Sequence, residues 1–125
     1  MESRLDELAG YQMEETGAPD FIVKQFNLPT TVEMFRDVAG RIGGIVGMIP
    51  QTQDGGALVF KEPYGVILGI APWNAPYILG LRAVIYALAT GNTCILKGSE
   101  LSPRSFWAIG SVFHEAGLPA GCLNV

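Results

Sequence analysis

This sequence carries little charge. Only 16% of its 125 residues are charged, while 49% are apolar and the mean hydropathy is +0.30. An average soluble domain carries roughly 25% charged residues. So few charges suggest a chain that needs more protein around it, as a part of a larger fold does. Intrinsic disorder is excluded as the main state, because it takes few apolar residues and a high net charge to prevent a core. The eight basic residues never adjoin one another, and twelve acids outnumber them to leave a net charge of −4. That balance provides no basic groove for nucleic acid and no cationic face for an anionic membrane. Cysteine and histidine are scarcer still. Cys94, Cys122 and the single His114 match neither a disulfide framework nor a metal-ligand spacing, so no metal site and a reducing, cytoplasmic setting are expected.

Long apolar runs are missing too. Between Pro63 and Leu96 the only charge is Arg82, but Pro72, Trp73, Asn74 and Pro76 interrupt the stretch and Gly91-Asn92 ends its second half. A spanning helix needs about 20 continuous apolar residues, and these breaks leave pieces of strand and buried-helix length. The start, with Glu2, Asp6 and Glu7 and no apolar run behind them, does not read as a signal peptide. The familiar phosphate motifs are absent as well. No G-x-G-x-x-G follows a strand, and Lys97-Gly98-Ser99 lacks a preceding glycine-rich loop.

What is present has a clear order. Leu5, Leu8, Ala9 and Met13 predict a helix over 3–15, stopped by Gly17-Ala18-Pro19-Asp20. Thr30-x-x-Glu33 behind Pro29 reads as a capping box opening a second helix. Its stripe would be Phe35, Val38, Ile42, Ile45 and Val46, ending at Pro50. A polar turn over 51–56 and a short extended piece over 57–60 follow. From Gly65 the run to Ile70 reads as a strand buried on both faces, and 76–90 as a helix apolar nearly all round. Residues 92–97 predict a second buried strand. Ser102 with Pro103 predicts a capped helix whose inner stripe is Phe106, Ile109, Phe113 and Ala116, and Cys122 to Val125 a third strand. Strand–helix–strand–helix–strand with short links implies an α/β fold, an incomplete doubly wound, Rossmann-like parallel sheet preceded by two helices. The division expected is a helical lead-in over 1–56 and a partial dinucleotide-binding domain over 57–125.

In such sheets ligands sit beyond the carboxyl ends of the strands, here Ile70 to Asn74 and Lys97 to Glu100, which should face one crevice. Asn74 lies where a helix begins. It is either a helix cap or a rigid amide donor for a developing oxyanion. Trp73 is either a core aromatic or part of the site. Lys97 and Glu100 form either a solvated ion pair at i,i+3 or a sugar-binding loop in which the carboxylate accepts from ribose hydroxyls. Cys94 and Cys122 read as inert thiols, and His114 is given no role.

From Glu62 onward the sequence resembles aldehyde dehydrogenases. Glu62-Pro63-Tyr64-Gly65-Val66, Pro72-Trp73-Asn74-Ala75-Pro76, Gly91-Asn92-Thr93 with Leu96-Lys97-Gly98-Ser99-Glu100, and Glu115-Ala116-Gly117-Leu118-Pro119 with Leu123-Asn124-Val125 carry the likeness, in the family's order and spacing. The resemblance implies NAD(P)-dependent oxidation of an aldehyde to a carboxylic acid. Asn74 would be the oxyanion-hole side chain. Ile70, Ala71, Pro72 and Trp73 would line the nicotinamide-ribose side of the cofactor, and Lys97 with Glu100 would bind the adenosine ribose. An acid at Glu100 favours NAD over NADP, whose 2′-phosphate would meet a like charge. Two residues depart from the family pattern. Gly98 stands in place of proline, which should loosen its loop, and Ala75 in place of an aromatic. The family's pyrophosphate turn, general base, cysteine nucleophile and catalytic domain come after the last residue here. The expectation is therefore a truncated chain, inactive alone. The alternative is a non-catalytic module that pairs with a full-length homologue or forms a homo-oligomer.

Overall fold

The structure is a computed structural model and describes residues 1–125. After one 3-10 turn, Glu2–Arg4, helix α1 (Leu5–Thr16) buries Leu8 and Ala9 completely, with Leu5 and Met13 packed beside them. Gly17 ends it at φ 68°, its N–H donating to the Met13 carbonyl. That left-handed cap is one glycine adopts at least cost.

The second helix starts earlier than the sequence suggests. Helix α2 (Asp20–Ile22), a π-helical segment Val23–Asn27 and α3 (Leu28–Arg41) run on without a break. Thr30 and Glu33 thus lie inside the helix and form no capping box. Pro29, which reads as a boundary, is accommodated by the wide turn before it, where the Leu28 N–H reaches back to the Val23 carbonyl. At the other end Gly43 and Gly44 weaken the helix, and it closes in a 3-10 turn, Ile42–Gly44. Val38 is buried and Phe35 packs tilted on Phe113, 5.6 Å between centroids. Ile42, Ile45 and Val46 fall past the helix and are exposed, so the inner stripe is shorter than the periodicity implies.

Residues 45–64 form an arm of little secondary structure. Strands β1 (Gln51–Thr52) and β2 (Gly55–Gly56) pair antiparallel, and the expected extended piece shrinks to one bridge between Met48 and Val59.

Strands β3 (Val66–Ile70), β4 (Thr93–Lys97) and β5 (Leu123–Asn124) make a parallel sheet in the order β3-β4-β5, connected through α4 (Pro76–Ala89) and α5 (Pro103–Glu115). This is the α/β arrangement read from the sequence. Asn92 fastens it: its Oδ1 accepts from the Gly65 N–H at 2.9 Å, and its Nδ2 donates to Thr90 Oγ1 at 2.8 Å and to the Ala87 carbonyl at 3.2 Å. One side chain thereby ties the start of β3 to the end of α4. Gly91, at φ 82°, supplies the turn that delivers it.

The strands are not buried on both faces. Successive crossovers in one direction along the sheet put both helices on the same side. Gly69, Cys94 and Leu96 face them and are buried, whereas Val66, Leu68, Ile70 and Ile95 point to the open side and are exposed. Helix α4 is enclosed by α3, α5 and the sheet, and Leu8, Val23, Leu28, Tyr77, Leu81, Val84 and Phe106 share one core. No helix is long and apolar enough to cross a membrane.

Candidate functional site

The two strand ends arrive side by side. Ile70 is the register partner of Lys97, and the Ala71 N–H donates to the Lys97 carbonyl at 3.1 Å. Beyond β3, Ala71 is buried, while Pro72, Trp73 and Asn74 are exposed. Trp73 is therefore not a core aromatic. Nor does Asn74 cap a helix. Ala75 occupies the N-cap position of α4, no side chain caps it, and Pro76 at the first turn needs no acceptor. The Ala75 carbonyl accepts the Leu79 N–H at 3.0 Å. The Asn74 amide is left at the sheet edge, open to solvent.

Beyond β4 the chain turns through Gly98, Ser99 and Glu100 into α5. Ser99 shapes the turn, its carbonyl accepting from the Ser102 N–H and its hydroxyl from the Leu101 N–H, both at 3.2 Å. Lys97 Nζ donates to the Gly98 carbonyl at 3.2 Å and forms no salt bridge with Glu100. The i,i+3 ion pair is thus not made, and the Glu100 carboxylate stays free to accept from another group. Both side chains border a cleft of about 600 Å³ between this turn, one face of α5 and the end of β5. Its α5 wall is Pro103, Phe106, Trp107, Gly110, Ser111 and His114.

That wall follows helical spacing, a second stripe beside the buried one. Sequence reading passed over it because Trp107 and His114 carry no motif, and spacing alone does not say which polar stripe faces a cavity. The stripe assigned inward is right at Phe106 and Ile109, but Ala116 lies beyond the helix and is exposed. Ile70, Ala71, Pro72, Trp73 and Asn74 do not line this cleft. They adjoin it through the Ile70–Lys97 pairing but do not share its cavity.

The cap of α5 is also different from the expectation. Ser102 holds the N-cap position, yet its hydroxyl is buried without a partner. The cap comes from Glu15 on α1, whose carboxylate accepts the Arg104 and Ser105 N–H groups at 2.6 and 2.9 Å and the Ser105 hydroxyl at 2.7 Å. Of the two thiols, Cys94 is fully buried and burial pushes its pKa up. Cys122 sits half-buried ahead of β5.

The sequence profile of the aldehyde dehydrogenase family matches residues 1–125. Among curated relatives, vanillin dehydrogenase of Pseudomonas sp. strain HR199 is 50% identical over 102 residues, covering 80% of this chain and 21% of its own length. The crystal structure of a salicylaldehyde dehydrogenase from Pseudomonas putida G7 complexed with salicylaldehyde superposes with a TM-score of 0.92 at 36% identity, over 98% of this chain and 26% of that one. That of PnpE in complex with nicotinamide adenine dinucleotide gives 0.89 at 34% identity, over 99% and 26%. The chain thus spans between a fifth and about a quarter of the length of the proteins it matches.

Proposed function

This chain belongs to the aldehyde dehydrogenase family, and we propose that it supplies the adenosine-ribose seat of an NAD site and the oxyanion donor for oxidising an aldehyde to a carboxylic acid. The observation that carries this reading is the joint placement of the Lys97 ammonium and a free Glu100 carboxylate on the rim of one cleft beyond β4. A ribose diol needs such a pair, an acceptor for its hydroxyls and a donor to its oxygens. The residues present therefore fit the group.

Bound NAD supplies the hydride acceptor. Glu100 would accept from its ribose hydroxyls and Lys97 would donate to the same sugar. By the family pattern, Ile70, Ala71, Pro72 and Trp73 would line the cofactor's nicotinamide-ribose side. The Asn74 amide, spared from capping, donates to the aldehyde oxygen as that oxygen gains charge under nucleophilic attack. Cys94 is no nucleophile, because a desolvated thiol with a raised pKa yields little thiolate. By the family pattern, the attacking cysteine and the general base belong to other segments, and residues 1–125 alone are an inactive piece of the enzyme. The vanillin and salicylaldehyde dehydrogenases among the relatives support an aromatic aldehyde as substrate. The apolar open face of Val66, Leu68, Ile70 and Ile95 supports contact with further protein, whether of the same polypeptide, a second copy or a full-length homologue. A cytoplasmic setting goes with this reading.

Calorimetric titration of NAD and NADP tests it. The parent chain should bind NAD more tightly than NADP, Lys97→Ala and Glu100→Gln should each weaken NAD about tenfold, and Glu100→Gln should narrow the preference. Binding of neither cofactor, or NAD binding by both variants as tight as the parent's, would overturn the reading. Turnover of vanillin with NAD by the chain alone would refute its inactivity.

A further inference from the structure

Gly98 occupies a place that its backbone conformation does not explain. It is not among the glycines with positive φ, so an L-residue could adopt its torsions. What forbids a side chain is Phe106. A Cβ built on Gly98 would lie 2.5 Å from Phe106 Cδ2 and 2.8 Å from Cδ1, and nearer still to Cγ. These atoms are the root of the ring, which cannot swing away as the tip of a long side chain can. The ring is held from the other side as well. A Cβ on Gly80 of α4 would come within 2.9 Å of Phe106 Cε1, and Ile109 closes the same space at 3.0 Å. Phe106 is 3% exposed, wedged between α4 and the turn that carries Lys97 and Glu100, and it also walls the cleft.

We propose that Phe106 is a positioning residue for the cofactor: its ring, packed against the bare Gly98 backbone, braces the 97–100 turn so that Lys97 and Glu100 meet the ribose together. The inference rests on reading the cleft as the ribose site. The brace replaces the stiffness that a proline would give this turn, which explains how a glycine is tolerated there. It also makes residues 98 and 106 exchangeable as a pair and not singly. Alanine at 98 pushes the ring or the turn aside, and a smaller residue at 106 leaves the turn unsupported. Alanine at both positions restores contact, because the methyl added at 98 occupies the space that Cγ and the Cδ atoms of residue 106 give up.

The test is a double-mutant cycle of Gly98→Ala and Phe106→Ala on the whole chain, since leucine or methionine would keep the Cγ that a methyl at 98 meets; should Phe106→Ala not fold by itself, the double variant is compared directly with Gly98→Ala. NAD affinity by calorimetry, backbone order parameters of Gly98, Ser99 and Glu100 by NMR, and the thermal midpoint are each measured. Each single variant should weaken NAD about tenfold, and the double variant should return to within about threefold of the parent. Phe106→Ala should lower the order parameters of the turn. Additive losses in the double variant would overturn the proposal. So would a Phe106→Ala protein that melts earlier yet keeps both its NAD affinity and the order of the turn, since Phe106 would then be core and nothing more. A parent that binds no NAD fails the reading of the cleft, and the order parameters by themselves then decide whether the brace exists.

Discussion

Glu15 caps a helix that begins almost ninety positions later. Its carboxylate, at the end of α1, takes the N–H and the hydroxyl of Ser105 at 2.9 and 2.7 Å, and the Arg104 N–H at 2.6 Å. Four N–H groups at a helix start have no partner within the helix, and an anion there satisfies donors while meeting the positive end of the helix dipole. The contact joins the lead-in to the helix that walls the cleft.

Replacing Glu15 by alanine should destabilise the protein by about 1–2 kcal/mol, as loss of a cap does. Ser102→Ala should change stability by less than about 0.5 kcal/mol or raise it, because its buried hydroxyl has no partner to lose. Urea unfolding of both variants checks the pair. A costly Ser102→Ala with a silent Glu15→Ala would reverse the assignment.

Acid sensitivity should centre on Glu7. Hydrogen bonds from Arg4 and Tyr11 hold its carboxyl well below the ordinary value of 4.5, at about 2. Arg4 reaches on to Ser111 and Glu115 of α5, each at 2.8 Å. A carboxyl with a depressed folded pKa stabilises the fold above its unfolded value and loses that contribution as pH falls towards the folded one. The Arg4–Glu7 contribution should therefore be full above pH 4.5 and fade between there and about pH 2. Melting temperature against pH should fall less steeply through that window in Glu7→Gln than in the parent. Parallel curves would remove Glu7 from the account.

Asn74→Ala should leave stability within about 0.5 kcal/mol of the parent, the range of an exposed side chain without a structural partner. An ordinary Asn cap would cost about 1 kcal/mol. A loss of that size in thermal or urea unfolding would return Asn74 to the role of a cap and weaken its assignment as oxyanion donor.

The sheet and its two crossover helices were legible because their signals are local. Unbroken apolar runs, Pro76 and Pro103 at helix starts and glycine at turns depend on residues a few positions apart. The motifs at the strand ends were legible for the same reason, Lys97 and Glu100 being three positions apart and Asn74 lying at a strand-to-helix turn. The early start of the second helix was hidden, since Pro29 reads as a stop and only the π turn before it shows how the ring is carried.

Sequence alone determined the strands of the parallel sheet, its two crossover helices, their order and the residue types that end each strand. Tertiary structure decided which of those residues are free to act. It gave the cap of α5 to Glu15 in place of Ser102, the N-cap of α4 to Ala75 in place of Asn74, and the space over Gly98 to Phe106. The first and the last of these depend on a partner distant in sequence or brought close only by packing. Local propensity names the residues able to fill a role, but distance and exclusion within the packed chain choose among them.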